Sequence, residues 1–128
     1  MATLMCGLIT SGRLARAVEP AIAGVTASGA AADGHAAAAA VDGDPATYWQ
    51  SPADSSMQDY RRFLDFDLHG TYSISQIDIT NLAGSYYHYE VYLSKDGADY
   101  GKVAYKSDDA PATGAADTHP IDATEAAY

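Results

Sequence analysis

The chain has 128 residues, 48% of them apolar, and a formal net charge of −10 from 17 acidic against 7 basic residues. That length holds a single domain around one core. The acidic balance excludes the basic stripe that nucleic acid needs and the polybasic cluster that an anionic membrane attracts, and a lone cysteine, Cys6, excludes an internal disulfide or a thiolate metal centre.

Met1 to Ala17 carries a short apolar run, Leu4 to Ile9, followed by Arg13 and Arg16. Ala15-Arg16-Ala17 has the form of a signal cleavage site, but the run is short and no basic residue precedes it. Residues 1–21 are therefore read as a disordered leader or linker, and 22–128 as the domain. Ile22 to Ser28 reads as a first strand. Ala36 to Val41 has the length of one helical turn, ending at Gly43. Ser51 to Asp59 is a polar loop.

Phe63 to Leu68 alternates, with Leu64, Phe66 and Leu68 on one face and Asp65 and Asp67 on the other. His69-Gly70 is a turn. Ser73 to Thr80 is predicted as a strand with Ile77 and Ile79 inward and Gln76 and Asp78 outward. Asn81 to Ser85 is a loop. In Tyr87 to Leu93, Tyr87, Tyr89, Val91 and Leu93 oppose His88, Glu90 and Tyr92. Asp96-Gly97 signals a hairpin turn, and Lys102 to Lys106 returns with Val103 and Tyr105 inward. Ser107 to Ala116 is a loop, and His119 to Tyr128 a weakly structured end. Short strands, turn signals between them and no long amphipathic helix indicate an antiparallel sandwich or barrel.

The chemistry concentrates in Asp42-Gly43-Asp44-Pro45-Ala46-Thr47-Tyr48, followed by Trp49, the only tryptophan. Two carboxylates and a hydroxyl on a bent chain suit a hard cation such as calcium. The plainer alternative is a simple Asp-Gly turn, with Trp49 filling the core. His69, His88 and His119 lack metal-ligand spacing, and Asp65 and Asp67 read as the solvent face of a strand rather than a catalytic pair. No nucleophile elbow, P-loop or other catalytic constellation occurs.

Val25-Thr-Ala-Ser28, Ala40-Val-Asp-Gly-Asp-Pro-Ala-Thr-Tyr-Trp49, Leu64-Asp-Phe-Asp-Leu68, Ile74-Ser-Gln-Ile77 and Tyr89-Glu-Val-Tyr-Leu-Ser-Lys-Asp-Gly97 follow one another in an order and spacing that resembles a discoidin domain. This is the coagulation factor 5/8 type C family, which includes the family 32 carbohydrate-binding modules. The resemblance implies an all-β, galactose-binding-domain-like jelly-roll β-sandwich, commonly eight-stranded, and places Tyr128 where further strands are expected, so that the last strands are missing.

The resemblance also implies a structural Ca²⁺ held by the Ala39 carbonyl, Asp42, Asp44 and Thr47, with one acidic ligand absent. For a glycan it points to loops sharing one end of the sandwich, and to His35, Gln50, Asn81 and Tyr86. Gln50 stands where galactose-binding relatives often carry a histidine, and the loop at Asn81 lacks their arginine. The expected function is a non-catalytic carbohydrate-binding module that targets a larger secreted bacterial protein, a glycoside hydrolase, to glycans outside the cell. An adhesion-type domain with a protein or lipid partner is the alternative.

Overall fold

The computed structural model describes residues 5–6, 20–51 and 62–128. These residues form an all-β fold: β1 (Met5–Cys6), β2 (Gly24–Ala27), β3 (Leu64–Asp67), β4 (Tyr72–Thr80), β5 (Tyr89–Leu93), β6 (Gly101–Lys106) and β7 (Ala116–Ala126), with one 3-10 turn at Ala37–Ala40. β1, β4 and β7 make a three-stranded sheet with β4 in the middle, while β2 pairs with β3 and β5 with β6. Every pairing is antiparallel. No helix of the described residues is long and apolar enough to cross a membrane.

The core lies between β4 and β7 on one side and β5 and β6 on the other. Leu68, Ile74, Ile77 and Ala126 are buried there, and Ile22, Val91, Leu93, Val103 and Ile121 pack against them. The alternation read from β5 holds, with Tyr89, Val91 and Leu93 less exposed than Glu90 and Tyr92. Pairing of β2 with β3 begins at Gly24, two residues later than the sequence suggests. The helical turn expected over Ala36 to Val41 is the 3-10 turn, and Gly43 follows it with φ +77°.

Three expectations are corrected. Tyr105 does not point inward: it is 63% exposed. A bulge explains this, because Val91 pairs with Ala104 but Tyr92 with Lys102, which leaves Val103 as the extra residue. One extra residue inverts the alternation beyond it, so Ala104 is buried in Tyr105's stead. Asp78 is not outward but only 8% exposed. It lies on the central strand between Met5 and Thr118, and the Gln76 side-chain amide donates to its carboxylate at 3.0 and 3.1 Å.

The third correction concerns the end of the chain. His119 to Tyr128 is not weakly structured, since most of it belongs to β7, which has 11 residues. Its register against β4 breaks between Ile74 and Gln76, opposite the stretch from Pro120 to Thr124. Proline cannot donate to a ladder, so the irregularity falls where the sequence tolerates it. Met5–Cys6, within the expected leader, forms the short strand β1; the rest of 1–19 and most of the polar loop at 51–59 lie outside the described residues.

The turn from Ser94 to Tyr100 joins β5 to β6. Its Asp96 carboxylate accepts from the Ala98 and Asp99 N–H groups at 2.9 and 3.0 Å. These two donors, with Ser94 beside them, hold the Asp96 carboxyl below its ordinary range. Ser94 also exchanges backbone bonds with Tyr128 at 2.9 and 3.0 Å, and Leu68 donates to the Ala127 carbonyl at 2.9 Å. Residues 127–128 thus tie the ends of β3 and β5 together.

Gly97 has φ +71°, and a Cβ there would stand 3.2 Å from the Tyr128 ring. Gly43 has a similar φ but open space around it. Gly97→Ala is therefore expected to destabilise the domain by about 1–2 kcal/mol, and Gly43→Ala by less, toward about 1 kcal/mol. Urea unfolding of both variants checks the order; equal losses would mean that the Tyr128 ring gives way freely.

Candidate functional site

The segment after the 3-10 turn folds back on itself through side-chain bonds to its own backbone. The Asp44 N–H donates to Asp42 Oδ1 at 2.9 Å, and the Ala46 N–H to Asp44 Oδ1 at 2.9 Å. Aspartate favours such turns because its short acceptor reaches the N–H two residues on. Thr47 Oγ1 then lies 2.7 Å from Asp42 Oδ2, 2.9 Å from Oδ1 and 3.0 Å from the Asp44 carbonyl oxygen. One hydroxyl proton serves the shortest of these contacts; the other two are close oxygen neighbours.

The arrangement gathers three of the four residues expected to hold calcium. Asp42, Thr47 and the Asp44 main chain converge, while the Asp44 carboxylate caps Ala46. Ala39 sits in the 3-10 turn just before them. The donors are all oxygens, and gaps of 2.7–3.0 Å suit neighbouring ligands around a cation whose oxygens stand about 2.3–2.6 Å away. Among the described residues no three His, Cys, Asp or Glu side chains group to hold a metal. A calcium here would draw its remaining ligands from carbonyls and water.

The Thr47 hydroxyl, and after it the Asp44 N–H, hold the Asp42 carboxyl below its ordinary value. A carboxylate whose folded value is depressed adds stability above its unfolded value, and loses it as pH falls through the folded one. Thr47→Val removes the larger cause. It is expected to raise the Asp42 titration toward the ordinary carboxylate value and to narrow the acid range over which the domain persists. Carbon-detected NMR titration of Asp42 reads the first effect and acid unfolding the second.

His35 and Gln50 are brought together. The Ala32 N–H donates to the Gln50 carbonyl at 2.8 Å and the Gln50 N–H to the His35 carbonyl at 3.2 Å. The His35 ring stacks on Tyr48, with centroids 4.1 Å apart, and its Nδ1–H donates to the Tyr48 carbonyl at 3.2 Å. In the neutral ring this leaves Nε2 as an acceptor. Tyr48 is the member of this group that sequence reasoning did not single out; its place beside Trp49 in the motif was the available signal. Trp49 is half-buried, and its indole N–H is buried with no partner among the described residues.

Asn81 and Tyr86 belong to a second loop and behave differently. Tyr86 is 65% exposed and bridges to Pro111. The Gly84 and Ala112 N–H groups lace this loop to residues 111–112 at 2.8 Å each. Asn81 is 8% exposed and donates to Asp117 at 3.4 Å, so it braces the loop instead of presenting a polar group. Asp65 and Asp67 also serve structure: Asp65 accepts from the Tyr100 hydroxyl and Asp67 from the His69 N–H.

The family model of the F5/8 type C domain matches residues 24–128. The chain belongs to that family, and the discoidin resemblance read from its motifs is borne out, together with the β-sandwich jelly-roll class.

Among solved structures, the chain is similar to a family 89 glycoside hydrolase from Clostridium perfringens in complex with 2-acetamido-1,2-dideoxynojirmycin. The match has 38% identity and a TM-score of 0.71, and covers 81% of this chain and 11% of that one. A variant of the Clostridium perfringens enzyme in complex with its substrate GlcNAc-α-1,4-galactose matches at 36% identity and a TM-score of 0.69, over 82% of this chain and 11% of that one. The chain thus spans about a tenth of the length of these hydrolases. No curated protein matches it.

Proposed function

We propose that this domain is a non-catalytic carbohydrate-binding module of the family 32 kind, acting within a larger secreted bacterial glycoside hydrolase. The observation that carries the reading is the 38% identity to one stretch, 11% in length, of a hydrolase chain. A part of that size, all-β and of the F5/8 type C family, fits a binding module beside a catalytic domain. Holding the catalytic domain on its glycan raises the local substrate concentration, so weak affinity at each site suffices.

The glycan-binding end comprises His35, Gln50 and Tyr86. His35, pinned on Tyr48, and the exposed amide of Gln50 supply polar groups to sugar hydroxyls, and the exposed Tyr86 ring supplies an apolar face. Asn81 acts from behind, as a brace for the loop. Ca²⁺ at Asp42, Thr47, Asp44 and the Ala39 carbonyl fixes the loop that carries Tyr48 and Gln50.

Titration of the isotopically labelled domain with a glycan selected on an array is expected to move the resonances of His35, Gln50 and Tyr86. Binding to phospholipid vesicles with no glycan bound would overturn the reading in favour of an adhesion-type domain.

Millimolar calcium is expected to raise the melting temperature by mass action, and Asp42→Ala to abolish the rise. A rise that survives Asp42→Ala would put the ion elsewhere.

A further inference from the structure

A second constellation lies away from the Asp42 loop, where β5, β6 and β7 meet. The Tyr89 hydroxyl and His119 Nε2 are hydrogen-bonded at 2.8 Å, and Tyr89 also donates to Asp117 Oδ2 at 3.2 Å. The Lys106 ammonium lies 3.3 Å from Asp108 and 3.4 Å from Asp117. Burial first, and then the Asp117 charge, push the Tyr89 hydroxyl well above its usual titration range, so it stays protonated and donates. Lys106, Asp108, Asp117 and His119 wall a groove of about 380 Å³, and Tyr105, 63% exposed, lines its rim. A second groove of about 600 Å³, lined by Lys102, Val103, Ile121 and Thr124 among others, lies between the same two strands, β6 and β7.

The lining selects the ligand. One ammonium faces two carboxylates, with an imidazole beside them, so charge disfavours a strong anion. Among the described residues no cluster fits a metal. A pyranose with adjacent hydroxyls wants a donor and an acceptor side by side, and an aromatic ring for its apolar face. Lys106 beside Asp108 and Asp117 provides the first, and Tyr105 the second. The ammonium has three protons, and its contacts with the carboxylates are longer than the roughly 2.7–2.9 Å usual for charged pairs. Polar capacity therefore remains for a ligand.

We propose that the groove between β6 and β7 is a second saccharide-binding site, in which Lys106, Asp108 and Asp117 bind adjacent hydroxyls of a neutral pyranose and Tyr105 stacks on its apolar face. The proposal rests on the glycan-binding reading above. It differs in adding a site between β6 and β7, bordering the end where the loops emerge, where the alternation of β6 had hidden Tyr105. The Tyr89–His119 pair positions Asp117 and the groove wall.

The test is titration of the labelled, full 128-residue chain with galactose, mannose and N-acetylglucosamine, each followed by amide shifts. At least one sugar is expected to move Thr118 and His119 in wild type and in Gln50→Ala alike. Tyr105→Ala should weaken that binding on the order of tenfold, with Tyr105→Phe retaining it. Lys106→Met should weaken it similarly. Tyr105 is exposed, so its variants are expected to melt as wild type does. Shifts confined to the His35 and Gln50 loops, with Tyr105→Ala titrating like wild type, would overturn the second site and leave the first intact. The absence of any shift with these sugars would overturn the second site, while the array-selected glycan still decides the first.

Discussion

The antiparallel pairing of Tyr72–Thr80 with Ala116–Ala126 sets the position of nearly everything else. Among the described residues Ile74 and Ile77 are the largest fully buried side chains, and both sit on the strand that this pairing holds in place. Their burial, at about 1.5–3 kcal/mol each, anchors a core otherwise made of small or half-buried residues. The same register sets Asn81, just past the end of β4, near Asp117 at the start of β7. Tyr89 from β5 and Lys106 from β6 then reach Asp117 from the other sheet. A polar network thus spans the sandwich at the end where the β4–β5 and β6–β7 loops emerge.

The Asp42 loop is organised on a different principle. It owes its shape to bonds between residues at most five apart, with Gly43 supplying the positive φ. Each of the two carboxylates is held by N–H or hydroxyl donors of the loop itself, which offset its charge. A cation would do so more strongly, and the net charge of −10 makes its approach favourable. The loop also carries Tyr48, Trp49 and Gln50, so its order passes directly to the His35–Tyr48 stack.

What could be read from sequence follows the range of the interactions. β3 and β5 were legible because their apolar residues alternate without interruption, and β4 because Ile77 and Ile79 do, although Ile74 falls out of step. The Asp42–Thr47 cluster was legible because it is local. β7 was not, because its sequence is mostly Ala, Thr and Asp with a proline inside, and only the partner strand makes it extended. Tyr105 was misplaced by a single bulge, which alternation cannot register. Asp78 and Asn81 look like surface residues in isolation. Both are buried because of what lies beside them: β1 and β7 for Asp78, and Asp117 for Asn81.

The glycan-binding proposal gives the abundance of tyrosine a physical rationale. Ten occur in the chain, and Tyr86, Tyr92, Tyr100 and Tyr105 are between 40% and 65% exposed. Leaving apolar rings in water gains nothing for folding, whereas a ring that stays rigid can meet the apolar face of a sugar at little entropic cost. Under the proposed role, several such rings would give several shallow contacts in place of one deep pocket. Under the proposed role beside a catalytic domain this division would be favourable: each contact would release quickly, and effective concentration would multiply their combined strength. Tyr89 takes the opposite role. Its hydroxyl is held between His119 and Asp117, so its ring links the sheets while its oxygen fixes the groove beside Tyr105. The same residue type thus builds the wall in one place and, in the other, offers the surface that a ligand would meet.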